Sequence, residues 1–213
     1  MGLSGHGVDG SVWTDGSRQE DGAVGAACVR RSPEGGLTGR RFQLGRNKEV
    51  FDAQVCAVWQ ALRALEQRGE RDREYTIFVD STSAITRVRD DARGPGQRFG
   101  VAAIEVETRP AAAGNRVTIR WVPAHAGAEG NEVADQYAKD AANGRAPREE
   151  LLGGYAEETS LAHMTRVATE ARSRAMIDWI TDHVRPGRRY RPPPGKGVRG
   201  THLRRVKKTL AGR

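Results

Sequence analysis

The pattern of hydrophobic and polar positions changes period several times along the 213 residues. Short apolar or alternating runs, typical of β-strands, occupy residues 11–15, 22–30, 37–44, 74–80 and 116–122. Apolar residues three or four apart, typical of helices, mark residues 50–67, about 82–89, 99–112, about 131–142 and 160–184. The first three strands follow one another through short connections, whereas the later strands are reached through helices. The order β-β-β-α-β-α-α-β-α predicts an α/β domain with one mixed sheet of five strands and helices on both faces.

Four regions follow from this pattern. They are a flexible Gly-rich N-terminus (1–10), the α/β domain (11–142), a polar linker with an amphipathic helix (143–184) and a basic tail (185–213). The apolar stripe of the C-terminal helix packs on the domain or on an absent neighbour, or else it contacts nucleic acid. Its members are Leu161, Met164, Ala168, Ala171, Ala175 and Trp179.

Composition indicates an intracellular protein, nuclear or cytoplasmic. Charged residues make up 29% of the chain and the mean hydropathy is −0.66. No apolar run approaches the ~20 residues that a membrane span needs, and residues 1–10 lack the apolar segment of a secretory signal. Cys28 and Cys56 lie in apolar runs, without the spacing of zinc ligands, which predicts core thiols in a reducing compartment.

The net charge of +8 is concentrated at the C-terminal end. Residues 185–213 contain eleven Lys and Arg and no Asp or Glu, so subtracting eleven from +8 leaves −3 on the remainder. Such a tail attracts phosphates without regard to base sequence. The alternative is a solvated linker cut from a longer chain.

Three aspartates occupy positions that a sheet brings to one edge. Asp15 and Asp80 end predicted strands, and Asp135 belongs to the helix that follows the last strand. With Asn131 as the N-cap, Asp135 falls in the first helical turn, where the helix dipole favours a carboxylate. Three converging carboxylates repel one another unless a cation lies among them, and oxygen ligands favour Mg²⁺ or Mn²⁺.

A Pro/Gly-rich loop with one histidine precedes that helix. His125 on a loop, near Asp135 on a rigid helix, suits metal-assisted acid/base chemistry. The alternative is an ordinary loop histidine beside a carboxylate that the helix dipole stabilises.

Four short motifs resemble those of ribonuclease H domains. They are Thr14-Asp15-Gly16-Ser17, Phe51-Asp-Ala-Gln54, Val79-Asp80-Ser81, and Pro-Ala-His125 continued by Gly130-Asn131-Glu132 and Ala134-Asp135. The resemblance covers about residues 11–142 and implies hydrolysis of the RNA strand of RNA/DNA hybrids with two Mg²⁺ ions, for which Mn²⁺ substitutes. It implies that Asp15, Asp80 and Asp135 are metal ligands and that His125 assists proton transfer and product release. It also implies substrate contacts at Gly16, Ser17, Ser81 and Asn131.

One position departs from the resemblance. Gln54 stands where the family has a catalytic glutamate. Asp52 cannot replace that glutamate, because at 100° per residue it points about 200° away around the helix. Glu49 lies before or at the helix start. Gln54 keeps an oxygen that can bind a cation or meet a ribose hydroxyl, but without the negative charge the second metal binds more weakly. Such a chain is naturally impaired or carries an engineered substitution.

The segment after the domain carries a second resemblance. Residues 189–210, with three consecutive prolines and a run of basic residues, look like the segment that follows the ribonuclease H region in fungal non-LTR retrotransposon polyproteins. This implies the reverse-transcriptase region of such a polyprotein as a partner. Three functions stay open: a hybrid-specific endonuclease, a hybrid-binding module with a weakened site, and another nuclease or integrase on the same fold.

Overall fold

The computed structural model describes residues 10–32, 34–90, 92–124, 127–145, 155 and 158–183. The strands are β1 (Ser11–Arg18), β2 (Val24–Arg31), β3 (Leu37–Gly45), β4 (Glu74–Val79) and β5 (Arg116–Trp121). The helices are α1 (Val50–Arg68), α2 (Thr82–Arg87), α3 (Gln97–Ala112), α4 (Glu129–Ala142) and α5 (Leu161–His183). The chain divides into two compact units, Met1–His163 and Met164–Arg213.

The five strands form one mixed sheet in the order β3-β2-β1-β4-β5. The β1–β2 and β2–β3 pairs are antiparallel, whereas the β1–β4 and β4–β5 pairs are parallel. The parallel strands follow helices, because a parallel connection needs a crossover. The predicted α/β architecture, with three antiparallel strands and two parallel additions, is confirmed.

Helices cover both faces of the sheet around β1 and β2. Val12 joins the core cluster that packs under α1, whereas the next residue, Trp13, meets α4 on the other face. A Cβ on Gly130 of α4 would overlap the Trp13 indole, so only glycine allows this approach. Because both of its faces are covered, β2 is buried from Val24 to Val29.

Both cysteines lie in this core, as predicted. Cys28 is on β2 and Cys56 is on α1, and both are buried. Burial raises the pKa of the Cys56 thiol far above its ordinary value. A thiol held in its neutral form is a packing group, and it is a poor nucleophile.

The predicted end of the first strand was wrong. Gly16 and Ser17, which lie beyond the predicted strand 11–15, continue β1 and pair with Ala26 and Gly25. The turn comes later, where the Gly22 amide donates to the Gln19 carbonyl and the Gln19 amide donates to the Ala23 carbonyl. Gly16 is needed for close packing: a Cβ there would lie 2.5 Å from the backbone nitrogen of Gln54 on α1.

The chain beyond α4 returns to the first compact unit. We call Tyr155 and residues 158–163 the docking segment. The Tyr155 ring lies 5.1 Å from that of Trp59 on α1 and 5.6 Å from that of Phe99 on α3, measured between centroids. The Arg98 guanidinium lies 4.8 Å above Tyr155 and forms an ion pair with Glu158 at 2.9 Å. The docking segment therefore covers the groove between α1 and α3.

The same segment binds the start of α1. The buried Lys48 ammonium donates to the Glu158 carbonyl at 2.6 Å. The Ser160 amide donates to the Asn47 carbonyl at 2.9 Å, and its hydroxyl donates to Asp52 Oδ2 at 2.6 Å. Asp52 also accepts the Glu49 amide at 2.8 Å, which completes a capping box at the helix start.

Replacing Ser160 with alanine is expected to lower the melting temperature by several degrees. Asp52 is 1% exposed, and without the hydroxyl its buried carboxylate loses a charge-assisted hydrogen bond worth about 1.5–3 kcal/mol. Thermal unfolding followed by circular dichroism measures the effect. Thr159→Ala is the matched control, because Thr159 is the exposed neighbour of Ser160. Equal melting temperatures for the two variants would contradict the expected role of Ser160.

Three members of the apolar stripe predicted on α5 have exposed side chains. Leu161, Met164 and Trp179 are 48%, 50% and 48% exposed. What this stripe packs against, the domain, an absent neighbour or nucleic acid, stays a prediction. In the part of the chain that the structure describes, no helix combines the length and hydrophobicity that a membrane span requires.

Candidate active site

Asp15 lies inside β1 rather than at its end, and its side chain is only 7% exposed. Its Oδ1 accepts the Gly16 amide at 2.6 Å. The β1–β4 register pairs Thr14 with Val79, so Asp15 on β1 lies at the same level as Asp80, the first residue after β4. The parallel pairing thus brings two carboxylates to one edge of the sheet.

The electrostatics of Asp15 show that a third carboxylate is near. Its pKa is raised to about 7, first by burial, then by the neighbouring Asp80 and, more weakly, by Asp135. The Gly16 amide and the Lys139 ammonium oppose this shift. The charges of Asp80 and Asp135 therefore reach Asp15, whereas the prediction that the three carboxylates form one metal site stays a prediction.

Asp80 follows β4 and precedes α2. Its backbone carbonyl accepts a hydrogen bond from the Trp121 indole at 3.1 Å. The next residue, Ser81, caps α2, with its hydroxyl accepting the Ala84 amide at 3.3 Å. Asp80 is thus held between the end of β4 and the beginning of a helix.

Asp135 lies one turn further along α4 than predicted. The helix begins at Glu129 with Ala128 as its N-cap, so the prediction of Asn131 as N-cap was wrong. Glu129 and Glu132 supply negative charge to the first turn, which stabilises the helix start without a side-chain cap. Asp135 therefore lies in the second turn, where the dipole is a weaker influence.

A lysine holds the Asp135 carboxylate. Lys139 Nζ lies 2.6 Å from Asp135 Oδ2, one helical turn away. This hydrogen bond raises the pKa of Lys139. Sequence reasoning missed Lys139, although its spacing of four residues from Asp135 was a usable signal.

Asn131 precedes Asp135 by one turn on the same helix. It is 3% exposed, and its buried Oδ1 has no hydrogen-bond donor among the described residues. An orphaned buried acceptor carries a desolvation cost, which is typical of functional positions. Ser17, another predicted substrate contact, accepts a hydrogen bond from Gln19 Nε2 at 3.1 Å.

Gln54 lies on the second turn of α1, half-buried, where the helix touches Gly16. The two acidic residues before it have other partners. Asp52 belongs to the capping box, and Glu49 lies 3.5 Å from Arg18 Nε and 2.9 Å from His163 Nδ1. The backbone of Gln54 therefore lies against Gly16, the residue next to Asp15, and its side chain is a neutral amide.

His125 lies outside the described residues, so its predicted place beside Asp135 stays a prediction. The chain on either side of it is described: β5 ends at Trp121 and α4 begins at Glu129. Both ends of this connection therefore belong to elements that carry or contact site residues.

The donor chemistry of the site fits a hard divalent cation. Oxygen ligands, partial burial and mutual repulsion among Asp15, Asp80 and Asp135 favour an added positive charge. Within the described ranges, no three His, Cys, Asp or Glu side chains are spaced to hold a metal ion. Since Asp135 is bound to Lys139, that carboxylate must turn away from the ammonium to join a metal site.

Replacing Lys139 with methionine is expected to lower the melting temperature without metal and to increase the rise produced by Mg²⁺. The three carboxylates lose a cation, and Mg²⁺ no longer competes with an ammonium for Asp135. Thermal unfolding across a Mg²⁺ titration measures both effects. Lys139→Arg keeps the charge and serves as control. If Mg²⁺ raises the melting temperature of the methionine variant by less than that of the parent, the ammonium and Mg²⁺ do not compete for Asp135.

Comparisons with known proteins agree with this architecture. The family model described as RNase H matches residues 9–143. No curated protein sequence gives a significant match to the chain.

Three solved structures are similar in fold. RNase H1 from the halophilic archaeon Halobacterium salinarum is 23% identical, with a TM-score of 0.50, and the match covers 63% of this chain and 97% of that one. The N-terminal RNase H domain of a Mycobacterium tuberculosis protein, solved as a fusion with maltose-binding protein, is 20% identical, with a TM-score of 0.50 and coverages of 63% and 94%. LC11-RNase H1 in complex with an RNA/DNA hybrid is 18% identical, with a TM-score of 0.51 and coverages of 63% and 97%. At these identities the likeness establishes the fold alone.

Proposed function

The chain belongs to the RNase H family, and on that premise we propose that it is a metal-dependent endonuclease that hydrolyses the RNA strand of RNA/DNA hybrids. One observation supports the proposal: burial and the charges of Asp80 and Asp135 raise the pKa of Asp15, so a bound cation would stabilise the ionised carboxylates. The presence of a hybrid in the LC11-RNase H1 structure supports the same substrate class.

Asp15, Asp80 and Asp135 would hold divalent cations, with Mg²⁺ as the expected ion, two ions in the active state and Mn²⁺ as a substitute. Such ions stabilise the attacking and leaving oxygens of a phosphodiester and lower the pKa of bound water. Gln54 would contribute a neutral oxygen from α1. Lys139 forms an ion pair with Asp135, and this carboxylate would leave the ammonium when it binds a cation.

The remaining residues act on the substrate and on protons. We propose His125 as the residue that moves a proton to the leaving oxygen and helps the product depart. Asn131 is the best supported substrate contact, because its buried carbonyl oxygen lacks a donor that a ribose hydroxyl can supply. Gly16, Ser17 and Ser81 are proposed to line the same edge, although Ser81 already caps α2.

A specific observation gives a second candidate function. The neutral Gln54 beside Asp15 weakens a two-metal site, so the domain could serve as a hybrid-binding module with little catalysis. The tail resemblance extends this idea to a retrotransposon-derived protein whose partner is a reverse-transcriptase region. The tail itself lies outside the described residues.

The test is cleavage of an RNA/DNA hybrid labelled on either strand, with and without Mg²⁺. We expect internal cuts in the RNA strand, none in the DNA strand, and none in EDTA. Double-stranded DNA and double-stranded RNA are the substrate controls, and Asp80→Asn is the protein control. If the protein binds the hybrid but does not cleave it at any Mg²⁺ or Mn²⁺ concentration, the endonuclease proposal is wrong and the hybrid-binding module is the better account.

A further inference from the structure

A side chain extends the hydrogen-bond ladder between β4 and β5. The Val122 amide donates to the Val79 carbonyl at 3.0 Å, one residue beyond the end of β5. The next carbonyl on the β4 side, that of Asp80, accepts its hydrogen bond from Trp121 Nε1 at 3.1 Å. The indole thus takes the place of a backbone donor at the point where the chain leaves the sheet.

Burial does not account for a tryptophan at this position. Trp121 is 54% exposed, so much of its ring stays in water. A phenylalanine or leucine could bury a similar apolar area without the N–H group. The property that the observed geometry uses is the directional donor, which only an indole provides among the large apolar side chains.

The bond acts on the backbone of a site residue. Fixing the Asp80 carbonyl fixes the peptide plane that follows Asp80, and Ser81 is fixed in turn by its capping bond to Ala84. The direction of a side chain depends on the backbone dihedrals of its own residue. The Val122 bond to the Val79 carbonyl fixes the peptide plane before Asp80. The backbone is therefore restrained on both sides of Asp80, which limits where its carboxylate can lie.

We propose that Trp121 is a positioning residue for Asp80: its indole N–H holds the Asp80 backbone so that the carboxylate is directed towards the site it shares with Asp15. The inference rests on the proposed function, because it gives the Asp80 carboxylate a divalent cation to bind. Preorganised ligands lose less freedom on binding, so the expected consequence is tighter binding of the ion.

Trp121→Phe tests the proposal, because it keeps an aromatic ring and removes the donor. The matched control is Trp179→Phe on α5, where the tryptophan is 48% exposed and its ring stacks on His183 at 5.0 Å. The melting temperature is measured across a Mg²⁺ titration without substrate, and amide exchange at residues 80–84 is measured without metal. We expect the Mg²⁺ midpoint to rise about threefold to tenfold in Trp121→Phe, as the loss of one hydrogen bond allows. Amide exchange at residues 80–84 should be faster, and Trp179→Phe should match the parent in both measurements.

Four other results would overturn the proposal. A lower melting temperature with an unchanged Mg²⁺ midpoint would show that Trp121 only contributes packing. A higher KM for the hybrid with an unchanged midpoint would make the exposed ring a substrate contact. If Mg²⁺ does not change the melting temperature of the parent protein, the proposed function and this inference are both wrong. If Mg²⁺ raises the melting temperatures of the parent and of Trp121→Phe with the same midpoint, only this inference is wrong.

Discussion

Asp15→Asn is expected to abolish cleavage and to raise the stability of the metal-free protein at neutral and higher pH. The pKa of Asp15 is about 7 in the folded protein, against an ordinary value of 3.8, because of burial and the neighbouring Asp80 and Asp135. The folded state therefore holds this proton more tightly than the unfolded chain does. The stability of the parent should fall as the pH rises from about 4 to about 7 and then level off. At ~1.4 kcal/mol per pH unit, the free energy of unfolding of the parent falls by at most on the order of 4 kcal/mol over this range.

Asparagine removes this dependence because it stays neutral. The amide oxygen can still accept the Gly16 amide, so the local backbone is preserved. Denaturant unfolding of parent and variant from pH 4 to pH 9 in EDTA measures the difference, and the hybrid assay with Mg²⁺ measures the activity. A variant that is less stable than the parent above pH 7 would make Asp15 a structural residue and remove it from the metal site.

Asp21→Asn supplies a control of opposite sign. Asp21 lies in the turn between β1 and β2, where the Ala23 amide and Arg46 lower the pKa of its carboxyl. The stabilisation from that carboxylate is present above its unfolded pKa and is lost as the pH falls through the folded value. The two aspartates should therefore give pH profiles of opposite slope.

The sheet followed from the sequence because it depends on period and order, whereas the metal site predicted at its edge stays a prediction. Alternating runs and helical runs fix which elements form, and short connections fix which strands are antiparallel. Asp15 and Asp80 meet because β1 and β4 are parallel neighbours in register, which a strand-end argument anticipates. The site residues came from local motifs that fall on these elements.

The errors of prediction arose where tertiary contacts override local preference. Gly16-Ser17 has the composition of a turn, but pairing with β2 keeps it extended, and Gly16 is used for its close approach to α1. Asn131 has the preference of an N-cap, yet α4 begins two residues earlier and buries it. No local pattern predicts the hydrogen bond from the Trp121 indole to the Asp80 carbonyl, because it joins residues 41 apart in sequence.

The same limit applies to the docking segment. A stretch of polar and Gly-rich residues was predicted to be a linker, but Tyr155, Glu158 and Ser160 pack on α1 and α3. Its hydrogen bonds go to the capping box of the helix that carries Gln54. The start of α1 is thus held from outside the range that the family model matches, residues 9–143.

Gln54→Glu is expected to raise the rate of cleavage by more than tenfold and to lower the Mg²⁺ concentration that cleavage requires. Gln54 lies where α1 touches Gly16, one residue from Asp15, so a carboxylate there would join the shared site. A second divalent ion is repelled by the first, and a fourth negative charge offsets that repulsion. A tenfold change in rate corresponds to ~1.4 kcal/mol of transition-state stabilisation.

The same substitution has a consequence that does not depend on catalysis. A fourth carboxylate adds to a site in which repulsion already raises the pKa of Asp15. Without metal, the variant should therefore unfold at a lower temperature than the parent above pH 7, and Mg²⁺ should raise its melting temperature by more. Gln67→Glu is the matched control, because it makes the same change at an exposed position of α1 about 20 Å along the helix axis.

The decisive measurement is a Mg²⁺ titration of cleavage at saturating hybrid for the parent, Gln54→Glu and Gln67→Glu. Earlier saturation and a higher final rate in Gln54→Glu alone would show that the missing charge limits the parent. Superimposable titrations of three active proteins would mean that another residue completes the site. If Gln54→Glu binds Mg²⁺ and hybrid more tightly yet none of the three proteins cuts RNA, the loss of function lies beyond Gln54, and the domain is a hybrid-binding module.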